Sequence, residues 1–144
     1  MDSISIAHRW FRALNEGSVA PELLALDVTS FVPGSEEGKG RELVLSFVTG
    51  LLHVFPDLQH ELDSVTACGN RVVVEGVITG THGKLTPASG HQLGGKNIRF
   101  RFCTVVETEG QRIVSYHAYY DQLDLLKQLE ESWTPPRPLD PRLE

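Results

Sequence analysis

The chain has 144 residues, of which 40% are hydrophobic, and its formal net charge is -6. This length and composition are typical of one folded domain with a buried core, and they exclude a disordered or collagen-like chain. The basic residues are scattered along an acidic chain, so we expect no nucleic acid partner, because an acidic surface repels phosphates. The apolar runs are too short to cross a bilayer, so we expect no membrane partner.

The N-terminus does not have the basic region and apolar run that are typical of a secretory signal. The two cysteines, Cys68 and Cys103, belong to no CxxC or zinc-binding pattern. A disulfide between them is one interpretation, and two buried thiols in a reducing compartment is the other. Three histidines, His53, His60 and His91, have spacings that match no common metal site. We therefore expect a cytoplasmic protein without a metal.

The first half of the chain contains most of the predicted helices. Apolar residues at helical spacing predict a helix over residues 3–16, and Pro21 favours the start of a short second helix. A short strand over residues 28–32 precedes a third helix over residues 41–54. The buried stripe of that third helix is predicted to consist of Leu43, Phe47, Gly50, Leu51 and Val54.

After Pro56 the apolar period changes from helical to two, which indicates strands. The predicted strands cover residues 58–65, 71–82, 98–107 and 112–121, and a last helix covers residues 122–131. Helices followed by antiparallel strands predict an α+β fold, a domain over residues 1–131 with helices on one face of a sheet. The glycine-rich segment between Gly83 and Lys96 has the length of a lid, and the proline-rich tail over residues 132–144 is predicted to be mobile or to lie on a neighbour.

Two predicted strands could line a binding site. Because side chains alternate along a strand, His117, Tyr119 and Asp121 should share one face of the last strand, where they could transfer protons. The strand over residues 71–82 should present an apolar face that ends in His82. On that face Gly76 and Gly80 leave room for a flat apolar ligand.

Four segments together resemble the SnoaL-like polyketide cyclases of the nuclear transport factor 2-like superfamily. They are Phe55-Pro56-Asp57-Leu58, Arg71-Val72-Val73-Val74, Gly80-Thr81-His82-Gly83 and Tyr119-Tyr120-Asp121-Gln122-Leu123. The resemblance implies a cone of three N-terminal helices over a strongly curved antiparallel sheet, with a short C-terminal helix. It also implies a homodimer that forms through the open face of the sheet, with an apolar patch at Val73, Val77, Val105, Val114, Tyr116 and Tyr120.

The same resemblance implies a cofactor-free aldol-type ring closure of a hydrophobic polyketide-like molecule, with Asp121 as the acid/base and His82 in the pocket. His117 is the third candidate catalytic residue. The expected substrate contacts are Tyr119, Phe55, Gly76, Ile78, Phe100, Phe102, Thr104 and Trp10. The family often carries an acid where this chain has Thr104 and a tryptophan where it has Gly76, so the second acid is missing and the pocket should be wider.

Other interpretations stay open at this stage. Asp121 stands at a strand-to-helix junction, where aspartate is a preferred N-cap. His82 could be a hydrogen-bonded residue at a strand end, His117 a core histidine, and Tyr119 a packing residue. The alternatives to ring closure are the opening of an epoxide and non-catalytic binding of a hydrophobic ligand.

Overall fold

The structure is a computed structural model that describes residues 1–83 and 95–132. The helices are α1 (Ser3–Asn15), α2 (Arg41–Val54) and α3 (Gln122–Ser132). The strands are β1 (Leu24–Phe31), β2 (Gly38–Lys39), β3 (Gln59–Cys68), β4 (Arg71–Thr81), β5 (Asn97–Glu109) and β6 (Arg112–Tyr120). The predicted lid over residues 84–94 and most of the predicted tail, residues 133–144, lie outside the described residues.

Helix α1 is an amphipathic helix with a side-chain cap. The Asp2 carboxylate accepts a hydrogen bond from the Ser5 amide at 2.8 Å, which satisfies one of the amides left free at the helix start. The buried face of α1 consists of Ile6, Ala7, Trp10, Phe11 and Leu14. This face packs against β3, β4 and β5, so α1 closes one side of the core.

The strands form one sheet of six, in the order β2-β1-β6-β5-β4-β3. All neighbouring strands are antiparallel except β1 and β6, which run parallel. The free edge of β5 beyond β6 is covered by Gln128 of α3, whose amide group bonds the backbone nitrogen and oxygen of Arg99 at 2.8 and 2.7 Å. One face of the sheet, the inner face, packs on the helices, and the other is the outer face.

The α+β class is confirmed, but the prediction of three N-terminal helices is wrong. One helix begins the chain, and α2 follows β1 and β2. The predicted second helix is a single 3-10 turn over Pro21–Leu23, after which β1 begins at Leu24. Parallel pairing of β1 with β6 gives this leucine-rich segment a buried strand position, and tertiary burial outweighs its helical propensity.

Helix α2 has the predicted bounds but a different buried face. Val44 and Val48 are its buried residues, whereas Leu43 is 47% exposed and Gly50 is exposed. Phe47, Leu51 and Val54 of the predicted stripe are only partly buried. The helix is therefore rotated relative to the prediction, and part of its apolar surface borders solvent. Among the described residues, no helix is long and apolar enough to cross a membrane.

Candidate functional site

The side chains of β4 that point into the domain are those that the sequence predicted. The inward residues are Val72, Val74, Gly76, Ile78 and Gly80, and all of them are buried. They are paired with inward residues of β5, so that Ile78 lies opposite Phe100 and Val74 lies opposite Thr104. Ile78 and Thr104 are 3% and 2% exposed, which places both inside the domain without solvent access.

The glycines of β4 do not leave open room, which corrects the expectation of a wider pocket. A Cβ atom at Gly76 would overlap the backbone oxygen of Glu61 and approach the Phe102 ring at 3.0 Å. A Cβ at Gly80 would lie 3.0 Å from the Cβ of Phe55. The glycines are needed because neighbouring backbone and rings already fill the space where side chains would stand.

Strand β6 has the opposite orientation to the one predicted for its catalytic column. The pairing with β5 shifts between Glu107 and Thr108, so that an extra residue enters β6 at Val114. Tyr116, Ala118 and Tyr120 therefore face inward, opposite Val106, Thr104 and Phe102. The patch predicted for a dimer contact is corrected accordingly, since Tyr116 is 2% exposed in the core and Tyr120 is also an inner-face residue. Val77, a third member of that patch, is likewise only 2% exposed.

His117 and Tyr119 lie on the outer face, away from the inner cluster of rings. The His117 Nδ1 atom and the Tyr119 hydroxyl are 3.3 Å apart, and the Phe31 ring packs beside both side chains. Tyr119 is 45% exposed. The structure therefore separates these two residues from His82, with the sheet between them.

One half of the inner face is a closed aromatic core. Trp10 is fully buried, and its indole nitrogen donates a hydrogen bond to the Tyr116 hydroxyl at 3.3 Å. Phe102 packs against Phe11 and His60, with ring centroids 5.7 and 5.1 Å apart. Trp10 and Phe102, two predicted substrate contacts, thus contribute to a filled core rather than to an accessible wall.

The other half of the inner face contains partly accessible rings, and we call it the aromatic site. Its members are Phe47, Phe55, His82, Phe100 and Tyr120. The Tyr120 ring packs on Phe100 at 5.0 Å and stacks on Phe47 at 6.4 Å. The Phe55 ring meets the His82 imidazole edge-on at 6.2 Å. Phe55 and Phe100 are almost fully buried, whereas Phe47, His82 and Tyr120 are only partly buried.

His82 continues the ladder between β4 and β5 beyond the last regular pair. Its backbone nitrogen donates to Lys96 and its oxygen accepts from Gly95. The next residue, Gly83, donates to the Val54 oxygen at 2.7 Å, which ties the end of β4 to the end of α2. These bonds hold the half-buried imidazole beside Phe55.

Asp121 is the N-cap of α3. Its Oδ1 atom accepts hydrogen bonds from the amides of Leu123 and Asp124 at 2.9 and 3.1 Å. Among the described residues, no group donates to its Oδ2 atom. The side chain is exposed. One oxygen of the carboxylate therefore caps α3. The group faces solvent at the end of β6, one residue after the inward-facing Tyr120.

Sequence reasoning missed Phe47 and Tyr120 as members of the site. It assigned Phe47 to a buried stripe and Tyr120 to the outer face. The alternation of β6 contained the correct grouping, because the column of Tyr116, Ala118 and Tyr120 is more apolar than that of His117 and Tyr119. This difference favours Tyr120 as an inward residue but does not decide the face, because simple alternation also places Ile113 in the column of His117 and Tyr119.

The comparisons with known proteins agree on the fold. Residues 5–129 match the SnoaL-like polyketide cyclase family. A candidate polyketide cyclase from Acidithiobacillus ferrooxidans is 25% identical, with a TM-score of 0.76 over 91% of this chain and 96% of that one. A candidate SnoaL-like cyclase from Jannaschia sp. CCS1 is 18% identical, with a TM-score of 0.76 over 93% of each chain. A Mycobacterium tuberculosis epoxide hydrolase is 17% identical, with a TM-score of 0.68 over 90% of each. No curated protein matches the sequence.

Proposed function

The chain belongs to the SnoaL-like polyketide cyclase family, and we propose that it is an acid–base enzyme that acts on a polyketide-like or other carbonyl-rich small molecule. The observation that carries the proposal is the aromatic site, where the partly buried side chains of Phe47, His82 and Tyr120 lie beside the buried rings of Phe55 and Phe100. Apolar walls with a few polar groups are typical of small-molecule sites.

The dimensions of the aromatic site favour a ligand of two or three fused rings. Phe47 contacts Tyr120 at one end and Phe55 contacts His82 at the other. Phe47 lies in α2 and Phe55 is the C-cap of that helix, and eight residues at 1.5 Å per residue separate their Cα atoms by roughly 12 Å. A flat molecule of that length would contact both polar groups at once.

The proposed reaction is an intramolecular aldol step. A carboxylate removes a proton from a carbon beside a carbonyl, the enolate carbon attacks a second carbonyl carbon, and the new alkoxide takes the proton back. Asp121 is the proposed base, acting through the oxygen that the α3 amides leave unused. His82 is proposed to donate a hydrogen bond to the enolate oxygen. Because His117 lies on the outer face, it has no part in this proposal.

Substitutions at Asp121 separate catalysis from capping. Asparagine caps a helix as well as aspartate does but cannot take a proton, whereas alanine does neither. The assay is deuterium exchange at the α-carbons of 2-tetralone, a bicyclic ketone, followed by proton NMR. Asp121→Asn should abolish the acceleration of deuterium exchange by the protein without lowering the melting temperature. Asp121→Ala should lower both the exchange rate and the melting temperature. Exchange by Asp121→Asn at the wild-type rate would refute the role of the carboxylate as base.

A non-catalytic ligand-binding module is the second candidate function. The observation that favours it is the exposed, helix-capping geometry of Asp121. In that case the protein would bind 2-tetralone without accelerating its exchange. Epoxide opening, by contrast, gains no support from the inner face, because the buried polar residues of the described chain are Ser30, His60, Thr104 and Thr108, with no carboxylate among them.

We also propose that the outer face forms a homodimer. A continuous row of side chains crosses four strands there, at Val73, Val105, His117 and Phe31. Charged pairs flank this row, with Arg71 bonded to Glu107 on one side and Arg101 bonded to Asp63 on the other. A largely apolar row that is bounded by charges is typical of a contact between subunits.

Sedimentation tests the dimer. Phe31→Glu places a charge in the row and should give a monomer at micromolar concentration. Leu26→Glu is the matched control on the same strand, because Leu26 is 72% exposed outside the row. A dimer that survives Phe31→Glu, or a monomeric wild type, would exclude this interface.

A further inference from the structure

Tyr120 is the polar group that the aromatic site presents on β6. The strand alternation turns it inward, opposite Phe102 of β5. Phe100 lies against its ring at 5.0 Å, and Phe47 stacks on it nearly parallel, with an interplanar angle of 18°. Because these two neighbours restrict the orientation of the Tyr120 ring, its hydroxyl group is confined to one region of the site.

Gln122, the residue after Asp121, interacts with the Tyr120 side chain. Burial raises the pKa of Tyr120, and an interaction with the Gln122 side chain acts in the opposite direction. Gln122 itself lies against the turn at Gly34, where an added Cβ would be 2.8 Å from its Nε2 atom. Gly34 has a φ of 82°, which favours glycine, so the turn can approach Gln122 this closely.

Resting on the proposed function, we infer that the Tyr120 hydroxyl donates a hydrogen bond to a ligand oxygen in the aromatic site and that Gln122 positions it. A phenol that stays protonated in its site is a suitable donor to a carbonyl or to the enolate oxygen that develops from it. The inference assigns to this site a ligand with an oxygen on its ring system. It also assigns that role to Tyr120 and not to its neighbour Tyr119.

The neighbouring tyrosine supplies a matched control. Tyr119 precedes Tyr120 in β6 but lies 45% exposed on the outer face. Tyr119→Phe and Tyr120→Phe remove the same atom from opposite faces of one strand. The probes are 2-naphthol, which carries an oxygen, and naphthalene, which does not, and both report binding by their fluorescence.

We expect Tyr120→Phe to weaken 2-naphthol binding about tenfold, the effect of one lost hydrogen bond, and to leave naphthalene binding unchanged. Tyr119→Phe should bind both probes as the wild type does. Gln122→Leu, which leaves the tyrosine in place, should weaken only 2-naphthol and by less than Tyr120→Phe. A loss that is confined to the oxygenated probe cannot come from a general disturbance of the fold.

A further variant separates this inference from the proposed function. Phe47→Ala removes an apolar wall and should weaken both probes. If Phe47→Ala weakens both probes but Tyr120→Phe binds 2-naphthol normally, the aromatic site stands and the donor role of Tyr120 is refuted. If neither probe binds the wild type, or Phe47→Ala affects neither, the aromatic site is not a ligand site and both proposals fall.

Discussion

His60 makes the stability of this protein depend on pH. The residue is 7% exposed on the inner face, and its ring packs against Phe11 and Phe102, each at 5.1 Å. Asn15 holds its backbone through bonds of 2.6 Å to the nitrogen and 3.1 Å to the oxygen. The Nδ1 atom is buried, and no described residue bonds to it. Within the described part of the chain, a protonated imidazole would have no anionic partner in this position.

Burial lowers the pKa of His60 from 6.5 to about 4. Above pH 6.5 the imidazole is neutral in both the folded and the unfolded chain, so its contribution to stability is complete there. As the pH falls, the unfolded chain takes up the proton first, and the folded chain does so only near pH 4. Stability is therefore lost within this window, by about 2 kcal/mol between pH 7 and pH 5.

The perturbation is His60→Phe, which keeps an aromatic ring and removes the titrating group. For a chain of this size, about 2 kcal/mol corresponds to roughly 7 °C in melting temperature. The drop between pH 7 and pH 5 should be smaller by that amount in the variant, as measured by circular dichroism or calorimetry. His53→Gln, which replaces an exposed histidine, should follow the wild-type curve. Parallel melting curves for wild type and His60→Phe would refute the argument from burial.

Three further predictions concern stability. Gly76→Ala should lower the free energy of unfolding by at least about 2 kcal/mol in urea titrations. Gly50→Ala should raise it slightly, because Gly50 has open space at an exposed helical position. Equal responses of the two variants would contradict the packing described above. In thermal melts Asp121→Ala should lower the free energy of unfolding by about 1 kcal/mol, and Asp121→Asn should leave it almost unchanged. An equal loss of stability in both variants would argue against Asp121 as the N-cap. Arg71→Ala should cost under about 1 kcal/mol, because its ion pair with Glu107 is exposed, and a larger loss would point to a further partner.

Much of the fold follows from local pattern. The period-two segments after Pro56 became β3 to β6 within a few residues of their predicted bounds, and the junction at Asp121 starts the last helix. The apolar face of β4 points inward as predicted, because it is uniformly apolar, whereas the other face combines valines with Arg71, Glu75 and two threonines. The ordered combination of short segments was enough to identify the family over residues 5–129.

Other features depended on contacts between distant segments. The leucine-rich stretch at Leu24 is a strand because it pairs in parallel with β6, a partner almost ninety residues away along the chain. The roles of the glycines also depended on neighbours, since Gly76 accommodates the backbone of β3 and not a ligand. Local propensity contains no information about what occupies the space beside a missing side chain.

By itself, the sequence determined the class and the order of the longer strands along the chain, since these follow from periodicity and turn residues read locally, whereas the family came from the resemblance of four short segments. Only the tertiary structure decided which face of β6 is the inner one, and with it the exchange of Tyr119 for Tyr120. A strand with polar residues on both faces can be turned either way, and the pairing with β5, including the extra residue at Val114, selects one orientation.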